Sequence, residues 1–406
     1  MAAGINKQRH AILIYPGLFH DNANGSQVRA TSLLQWLRAN FTCVTLYAID
    51  GYPEPINGAE LKAAMARFYP DVEVVIEKYS KQLQWASKCK KLLQSINPFI
   101  CGKLIKARIP RTTPKWEKLT AKPNSSLIFV NYTNTLFHLN GINPGQCIVE
   151  THDIQFLRKA KGPGRSSLTL GALMRFRLEF GILRTVAGAV GISRFEAYLI
   201  QNTAPETAVF YIPDYDQRPV KRLPLVDQRW DLLFIGSGNA INERGLVEMF
   251  ARPDLDLGQY QIAISGNVCK LPSIKAIAAT RKNVHLLGFV DDLEALYASS
   301  RACLCPTDGT GLNIKIVEAL RFGRPVFASS SAMEALNAGH ENCVFPVENS
   351  AMSAMLQDPA DWVRASQASG EFYQKFVYGG DMGKLAEWTR GRAPCRNSGY
   401  LAQSVR

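Results

Sequence analysis

The 406-residue chain has no run of about 18 uncharged apolar residues, so no membrane-spanning helix is expected. The longest candidate, Leu173 to Ile192, is interrupted by Arg175, Arg177, Glu179 and Arg184. The first apolar run, Ala11 to Tyr15, is too short for a signal core and ends on Pro16-Gly17. Cysteine is few and unordered: nine residues, an odd number, with only Cys303 and Cys305 close together and no metal-knuckle spacing. A disulfide scaffold and a zinc site are therefore not expected, and the cysteines read as reduced core thiols in a reducing compartment. Short internal repeats and low-complexity tracts are also missing.

Acidic residues are almost absent from Lys78 to Lys122, where Glu117 stands alone against 12 lysines and arginines, a surplus of +11 within a chain total of +13. Trp85, Leu92, Leu93, Ile96, Phe99 and Trp116 are interleaved with these charges. Such a segment fits an anionic membrane interface, or a merely solvated helical face. Nucleic acid is a third reading that no module signature supports, so no nucleic-acid partner is expected.

The remaining composition is that of a globular protein, with 47% hydrophobic and 20% charged residues. The strand "HAILIYP", the loop "GLFHDNANGS" and the helix "QVRATSLLQWLRAN" open the chain. "CVTLYAI", "DVEVVI", "SLIFVNY", "CIVETHD", "AGAVGIS" and "AVFYIP" follow as short apolar runs between helical segments, the pattern of a parallel sheet covered on both faces. "PDYDQRPVKRLPLVDQR" has the prolines and charges of a linker. The alternation then restarts with "WDLLFIGS", "YQIAISG", "VHLLGFV", "ACLCP" and "PVFAS". The expected architecture is α/β with two doubly wound Rossmann-like domains: residues 1–213, a linker at 214–229, a second domain at 230–375, and a C-terminal helix and tail at 376–406 packing back on the first.

"LCPTDGTGLNIKIVEALRFGRPVFAS" carries the most chemistry. A strand ends at Pro306, and ligands of open α/β sheets bind beyond strand carboxyl ends. Gly309 and Gly311 allow close backbone approach. A helix expected to start near Leu312 offers free N–H groups to an anion such as a diphosphate. Lys315 adds positive charge in the first turn, and Glu318 can accept from the two hydroxyls of a ribose. The bland alternative is a surface pair between Lys315 and Glu318, in the weaker orientation for a helix.

This stretch, with "DLLFIGS" and "LLGFVDDLEALYASSRACLCP", resembles glycosyltransferase family 4, the group 1 glycosyltransferases of GT-B fold, over most of residues 231–347. The resemblance implies a GT-B pair of domains facing a cleft and sugar transfer from a nucleotide-sugar with retention, with no metal or other cofactor. It implies ribose contact for Glu318 in the second position of a glutamate–seven residues–glutamate motif. The first position falls on Thr310, and aligning the glycines brings Asp308 nearest as donor-sugar ligand. It implies diphosphate contacts for Arg244 and Lys315, beside Gly236, with Leu312 entering the helix. Val290 matches the turn whose backbone meets the nucleobase. In the first domain, Gly25 and Ser26 match the glycine loop facing the donor phosphates, and His152, in "ETHDIQ", matches a histidine near the reacting sugar. Glu196 in "GISRFEAYLI" reads as structural, with Ser193 as helix cap. The implied chemistry is substitution at the anomeric carbon with the donor phosphate helping to deprotonate the acceptor. The acceptor would be a glycan or lipid-linked hydroxyl in cell-envelope synthesis, and the location cytoplasmic, peripheral on the inner face of the membrane.

Three competitors share parts of this pattern. "FIGSGNAI" has Gly236 and Gly238 but Ile241 where a dinucleotide fingerprint needs a third glycine. A sugar-nucleotide epimerase of the same fold, and a non-catalytic GT-B scaffold binding an acidic partner through residues 78–122, are the other two.

Overall fold

The computed structural model describes residues 9–19, 25–52, 55–107, 126–139, 141–156, 169–308 and 311–391. Among them the first domain holds a sheet of seven strands: β1 (His10–Tyr15), β2 (Cys43–Asp50), β3 (Val72–Lys78), β4 (Leu127–Asn131), β5 (Cys147–Glu150), β6 (Gly188–Gly191) and β7 (Ala208–Tyr211). Their order is β3-β2-β1-β4-β5-β6-β7, and each pairing is parallel. Its helices are α1 (Gly25–Asn40), α2 (Gly58–Phe68), α3 (Lys81–Ile96), α4 (Cys101–Lys106), α5 (Leu170–Leu183) and α6 (Arg194–Thr203).

The second domain has six parallel strands: β8 (Trp230–Ile235), β9 (Ile262–Ser265), β10 (Val284–Gly288), β11 (Ser300–Cys305), β12 (Val326–Ala328) and β13 (Val344–Pro346), ordered β10-β9-β8-β11-β12-β13. Its helices are α7 (Ala240–Ala251), α8 (Pro272–Thr280), α9 (Leu293–Ala298), α10 (Ile314–Arg321), α11 (Ser330–Met333), α12 (Asn349–Gln357) and α13 (Pro359–Tyr378). A last helix, α14 (Met382–Gly391), buries Leu385 against the first sheet and sets Trp388 at 5.5 Å from Phe210.

Both sheets are buried on two faces, which explains the near-continuous apolar runs. In β1, Ile12 and Ile14 enter one core while Ala11, Leu13 and Tyr15 enter the other. Each such aliphatic side chain contributes about 1.5–3 kcal/mol by burial. The second sheet divides the same way, with Leu232 and Phe234 on one face and Leu233 on the other. All its pairings being parallel, loops that follow strand carboxyl ends gather at one edge, and there the sites are built.

Three expectations need correction. β13 was not foreseen, because three residues cannot display a period. Of eight described cysteines, all unpaired, Cys43 is exposed and Cys89 half-buried, so core thiol describes only the other six. Residues 214–229 are no loose linker: Lys221 N donates to Arg321 O at 3.0 Å, Leu223 N to Phe322 O at 3.2 Å and Val226 N to Ala298 O at 3.0 Å. Buried Arg324 adds a bond from Nη2 to Pro224 O at 3.0 Å. The prolines keep this strap extended, and its free backbone groups pair with the second domain.

Candidate functional site

Two helix N-termini meet between the domains. Helix α10 begins at Ile314, two residues later than the glycine pattern predicts. Asn313 holds the N-cap position but makes no capping bond; its Oδ1 accepts from Thr307 Oγ1 at 3.2 Å, and its Nδ2 is buried without a partner. An uncapped helix start with an unsatisfied buried donor is costly for the protein alone and suited to an anionic or hydroxyl-rich ligand. Helix α1 starts opposite: a Cβ added at Gly25 would stand 3.0 Å from Ile314 Cδ1. Each terminus carries about half a positive charge, so the junction favours a dianion.

Gly311 makes the second close approach. A Cβ there would stand 3.1 Å from Asp153 Cβ and 3.2 Å from His152 O. The loop after β11 thus abuts the loop after β5. Gly309 and Thr310, also singled out by the sequence, lie outside the described residues.

Lys315 and Glu318 do not pair with each other. Lys315 Nζ donates to Asn242 Oδ1 at 2.8 Å and lies 4.1 Å from the centre of the Phe234 ring. Burial lowers its pKa to about 8. Glu318 Oε2 accepts from the Tyr297 hydroxyl at 3.0 Å, leaving Oε1 without a protein partner among the described residues. Burial raises its pKa, and the Tyr297 hydrogen bond, then Arg218 and Arg321, partly oppose this.

His152 lies at the same edge of the first domain. Asn131 Nδ2 donates to Ile14 O at 3.0 Å, so Asn131 Oδ1 must be the atom that accepts from His152 Nε2, at 2.7 Å. The proton therefore sits on Nε2, and Nδ1 is an acceptor. The ring stacks on Tyr132 at 4.4 Å, and burial first, then Arg29, holds its pKa well below the ordinary histidine value. Tyr132 and His152 both have left-handed backbone, φ 65° and 58°, uncommon for such side chains and frequent at functional sites.

The other predicted residues are placed as follows. Ser26 Oγ lies 3.3 Å from Tyr15 Oη in the first turn of α1. Gly236 directly follows β8, packed against Phe234 and Asn242. Asp308 is exposed, accepts from Ser331 Oγ at 2.8 Å, and lines a cavity of about 290 Å³ with Gly245, Glu248 and Ser329. Arg244 is half-buried and 3.9 Å from Glu248, too far for a strong bond. Leu312 and Val290 are half-buried on one core of the second domain, Val290 following Gly288, whose φ is 69°. Sequence reasoning missed Asn242, Phe234, Tyr297, Asn313, Asn131 and Tyr132, which orient the residues it found.

Glu196 positions the His152 loop. Its Oε1 accepts from Ile154 N and its Oε2 from Ile192 N, both at 3.2 Å, while Ser193 Oγ caps α6 through Glu196 N at 3.1 Å. Burial, then Asp153, raises its pKa from 4.5 to about 8. The native state therefore keeps a proton that the unfolded chain releases, and stability must fall as pH rises from 4.5 to about 8. Buried neutral His138 and His152 act with the opposite sign below 6.5, and buried Glu179, raised to about 7, acts with the same sign as Glu196, so the window that isolates Glu196 is about 7 to about 8. In urea titrations the wild-type midpoint should drop across that window, and Glu196→Gln, which resembles the neutral acid, should drop less.

Residues 229–358 match the family model described as Glycosyl transferases group 1. The chain superposes on sucrose-phosphate synthase from Thermosynechococcus elongatus with TM-score 0.63 and 15% identity, covering 94% of this chain and 98% of that one. It superposes on Anabaena Alr3699/HepE in complex with UDP with TM-score 0.58 and 15% identity, covering 94% and 98%. WaaG, a glycosyltransferase involved in lipopolysaccharide biosynthesis, gives TM-score 0.60 and 12% identity, covering 94% and 100%. No curated protein matches the chain. At these identities the superpositions establish the GT-B fold.

Proposed function

Because residues 229–358 carry the glycosyl transferases group 1 domain, we propose that the chain is a retaining glycosyltransferase using a nucleotide-sugar donor. The observation that carries this reading is the meeting of two helix N-termini at Gly25 and Ile314, with the unpartnered Asn313 amide between strand ends. The donor diphosphate lies at that junction, contacted by backbone N–H groups of the first turns, by Ser26 and by the Lys315 ammonium. Glu318 receives the ribose hydroxyls through Oε1, and the backbone at Gly288–Val290 receives the base. The complex of Alr3699/HepE with UDP-glucose supports a donor of this class. His152 Nδ1 accepts from a donor-sugar hydroxyl; neutral and already bonded at Nε2, it is unsuited to act as an acid. Asp308 borders the sugar. Transfer needs no metal in this scheme: the two helix ends and Lys315 supply the positive charge. The acceptor is a glycan or lipid-linked hydroxyl presented by the first domain, in cell-envelope synthesis on the cytoplasmic side.

A thermal-shift screen of nucleoside diphosphates and nucleotide-sugars is the direct test. One base series should raise the melting temperature. Bound diphosphate should raise the Lys315 pKa from about 8, so affinity should fall as pH climbs above 8. Lys315→Met should bind more weakly and lose that pH dependence. If no donor shifts wild type, or if Lys315→Met keeps full affinity, the assignment fails.

A further inference from the structure

The basic segment acquires a definite surface once it is folded. Helix α3 exposes Lys81, Trp85, Lys88, Leu92 and Ile96, a stripe repeating every three or four residues along one side. Over 16 residues this stripe is about 24 Å long. The turn after it exposes Phe99, and α5, packed beside α3, exposes Leu170, Leu173 and Met174 from its first turns. Exposure reaches 91% at Phe99, 75% at Leu170, 71% at Ile96 and 70% at Trp85. So many strongly exposed apolar side chains on elements that pack side by side are unusual on a protein surface. The α5 contribution lies far outside the charged run that the sequence draws attention to.

Charge tells what covers it. From Lys81 to Lys106 there are six lysines and no acidic residue. Lys81, Lys88, Lys103 and Lys106 are exposed, and half-buried Lys91 lies 3.0 Å from the His138 ring nitrogen Nε2. Among the described residues from Lys81 to Lys106, the exposed lysines sit on a stretch with no acidic side chain. A protein partner with a complementary surface would need acidic groups around an apolar centre. A bilayer with anionic headgroups supplies negative charge and an apolar interior in the required layers, over any length of stripe.

We propose that the flank formed by α3, the Pro98–Ile100 turn and the start of α5 is a membrane-docking face for anionic lipid bilayers. Trp85, Leu92, Ile96, Phe99 and Leu173 enter the interface, and the lysines meet the headgroups. No helix of the described residues is long and apolar enough to cross a membrane, so attachment is at the surface. This inference is independent of the transferase reading.

The test is co-sedimentation of the full chain with vesicles of phosphatidylcholine, alone or mixed with phosphatidylglycerol. Wild type should bind the mixed vesicles at least tenfold more tightly, and added salt should weaken binding. Lys81→Gln/Lys88→Gln/Lys103→Gln should weaken it roughly a hundredfold. Trp85→Ser/Ile96→Ser/Phe99→Ser, all exposed positions, should keep the melting temperature and lose retention at high salt. Equal binding to neutral and mixed vesicles overturns the proposal, as does full binding by the lysine variant. Self-association abolished by the apolar variant, without vesicle binding, would assign the face to a second copy instead. Donor thermal shifts measured on the same variants should stay at the wild-type value whichever way vesicle binding turns out.

Discussion

Glu318→Gln should reduce kcat/KM by about 10²–10⁴ while leaving the fold intact. The estimate rests on two hydroxyl bonds to a carboxylate, about 1.5–3 kcal/mol each, at roughly 1.4 kcal/mol per factor of ten. The choice of glutamine matters because Glu318 also accepts from Tyr297, which is only 1% exposed. Glutamine retains an oxygen for that phenol. Alanine would orphan it, at about 1–3 kcal/mol of stability. The pair of variants therefore separates two roles: both should be nearly inactive, and only Glu318→Ala should melt early. The expected signature for Gln is weaker binding of the nucleoside diphosphate itself, measured by calorimetry. An active Glu318→Gln with unchanged diphosphate affinity would remove Glu318 from the donor site.

Glu150→Ala should cost about 3–5 kcal/mol, the largest stability effect expected from a single substitution here. Glu150 is 1% exposed; its Oε1 accepts from Arg29 Nε at 2.8 Å and its Oε2 from the Tyr215 hydroxyl at 2.7 Å. Arg29, 5% exposed, also donates to Ile212 O at 2.7 Å and Pro213 O at 2.9 Å. Removing the carboxylate leaves a buried guanidinium with only neutral acceptors and a buried phenol with none. Replacing both charges, as Arg29→Met/Glu150→Met, should cost less than Glu150→Ala, since no charge is then stranded. Chemical denaturation of the three proteins decides it; a double variant worse than the single one would show that the network is more than a charge pair.

The sequence displayed these two charged sites unequally. Lys315 and Glu318 were legible because they follow glycines at a strand end, where local chain geometry alone states the chemistry. Their supports were not. Asn242 is 73 positions from Lys315, and Tyr297 is 21 from Glu318. Neither belongs to a local pattern; they meet only when strands and helices stack. Nothing in the sequence around Arg29 distinguishes a buried helical arginine from an exposed one. The sheets were legible, because two-sided burial prints uninterrupted apolar runs, whereas β13, Val344–Pro346, and the helix start at Ile314 fell within the error of any periodicity. Composition misled once: proline and charge in 214–229 look the same in a free tether and in a strap bonded along its length.

That strap has a mechanical consequence. With residues 217–230 fixed to the second domain, the first crossing between domains shrinks to about Ile212–Asp216, where Arg29 grips the carbonyls. The return crossing runs beside it: Asp381 N donates to Tyr211 O at 2.7 Å, and a Cβ on Gly380 would meet Pro213 Cδ at 2.9 Å. Two short pins lying side by side define one axis of rotation. A door-like rotation of the two halves about that axis would leave both crossings in place, whereas sliding or twisting would break the bonds that hold them. The free edge of that door carries Gly25 against Ile314 and Gly311 against His152, so a few degrees at the pins become ångströms where a donor would enter.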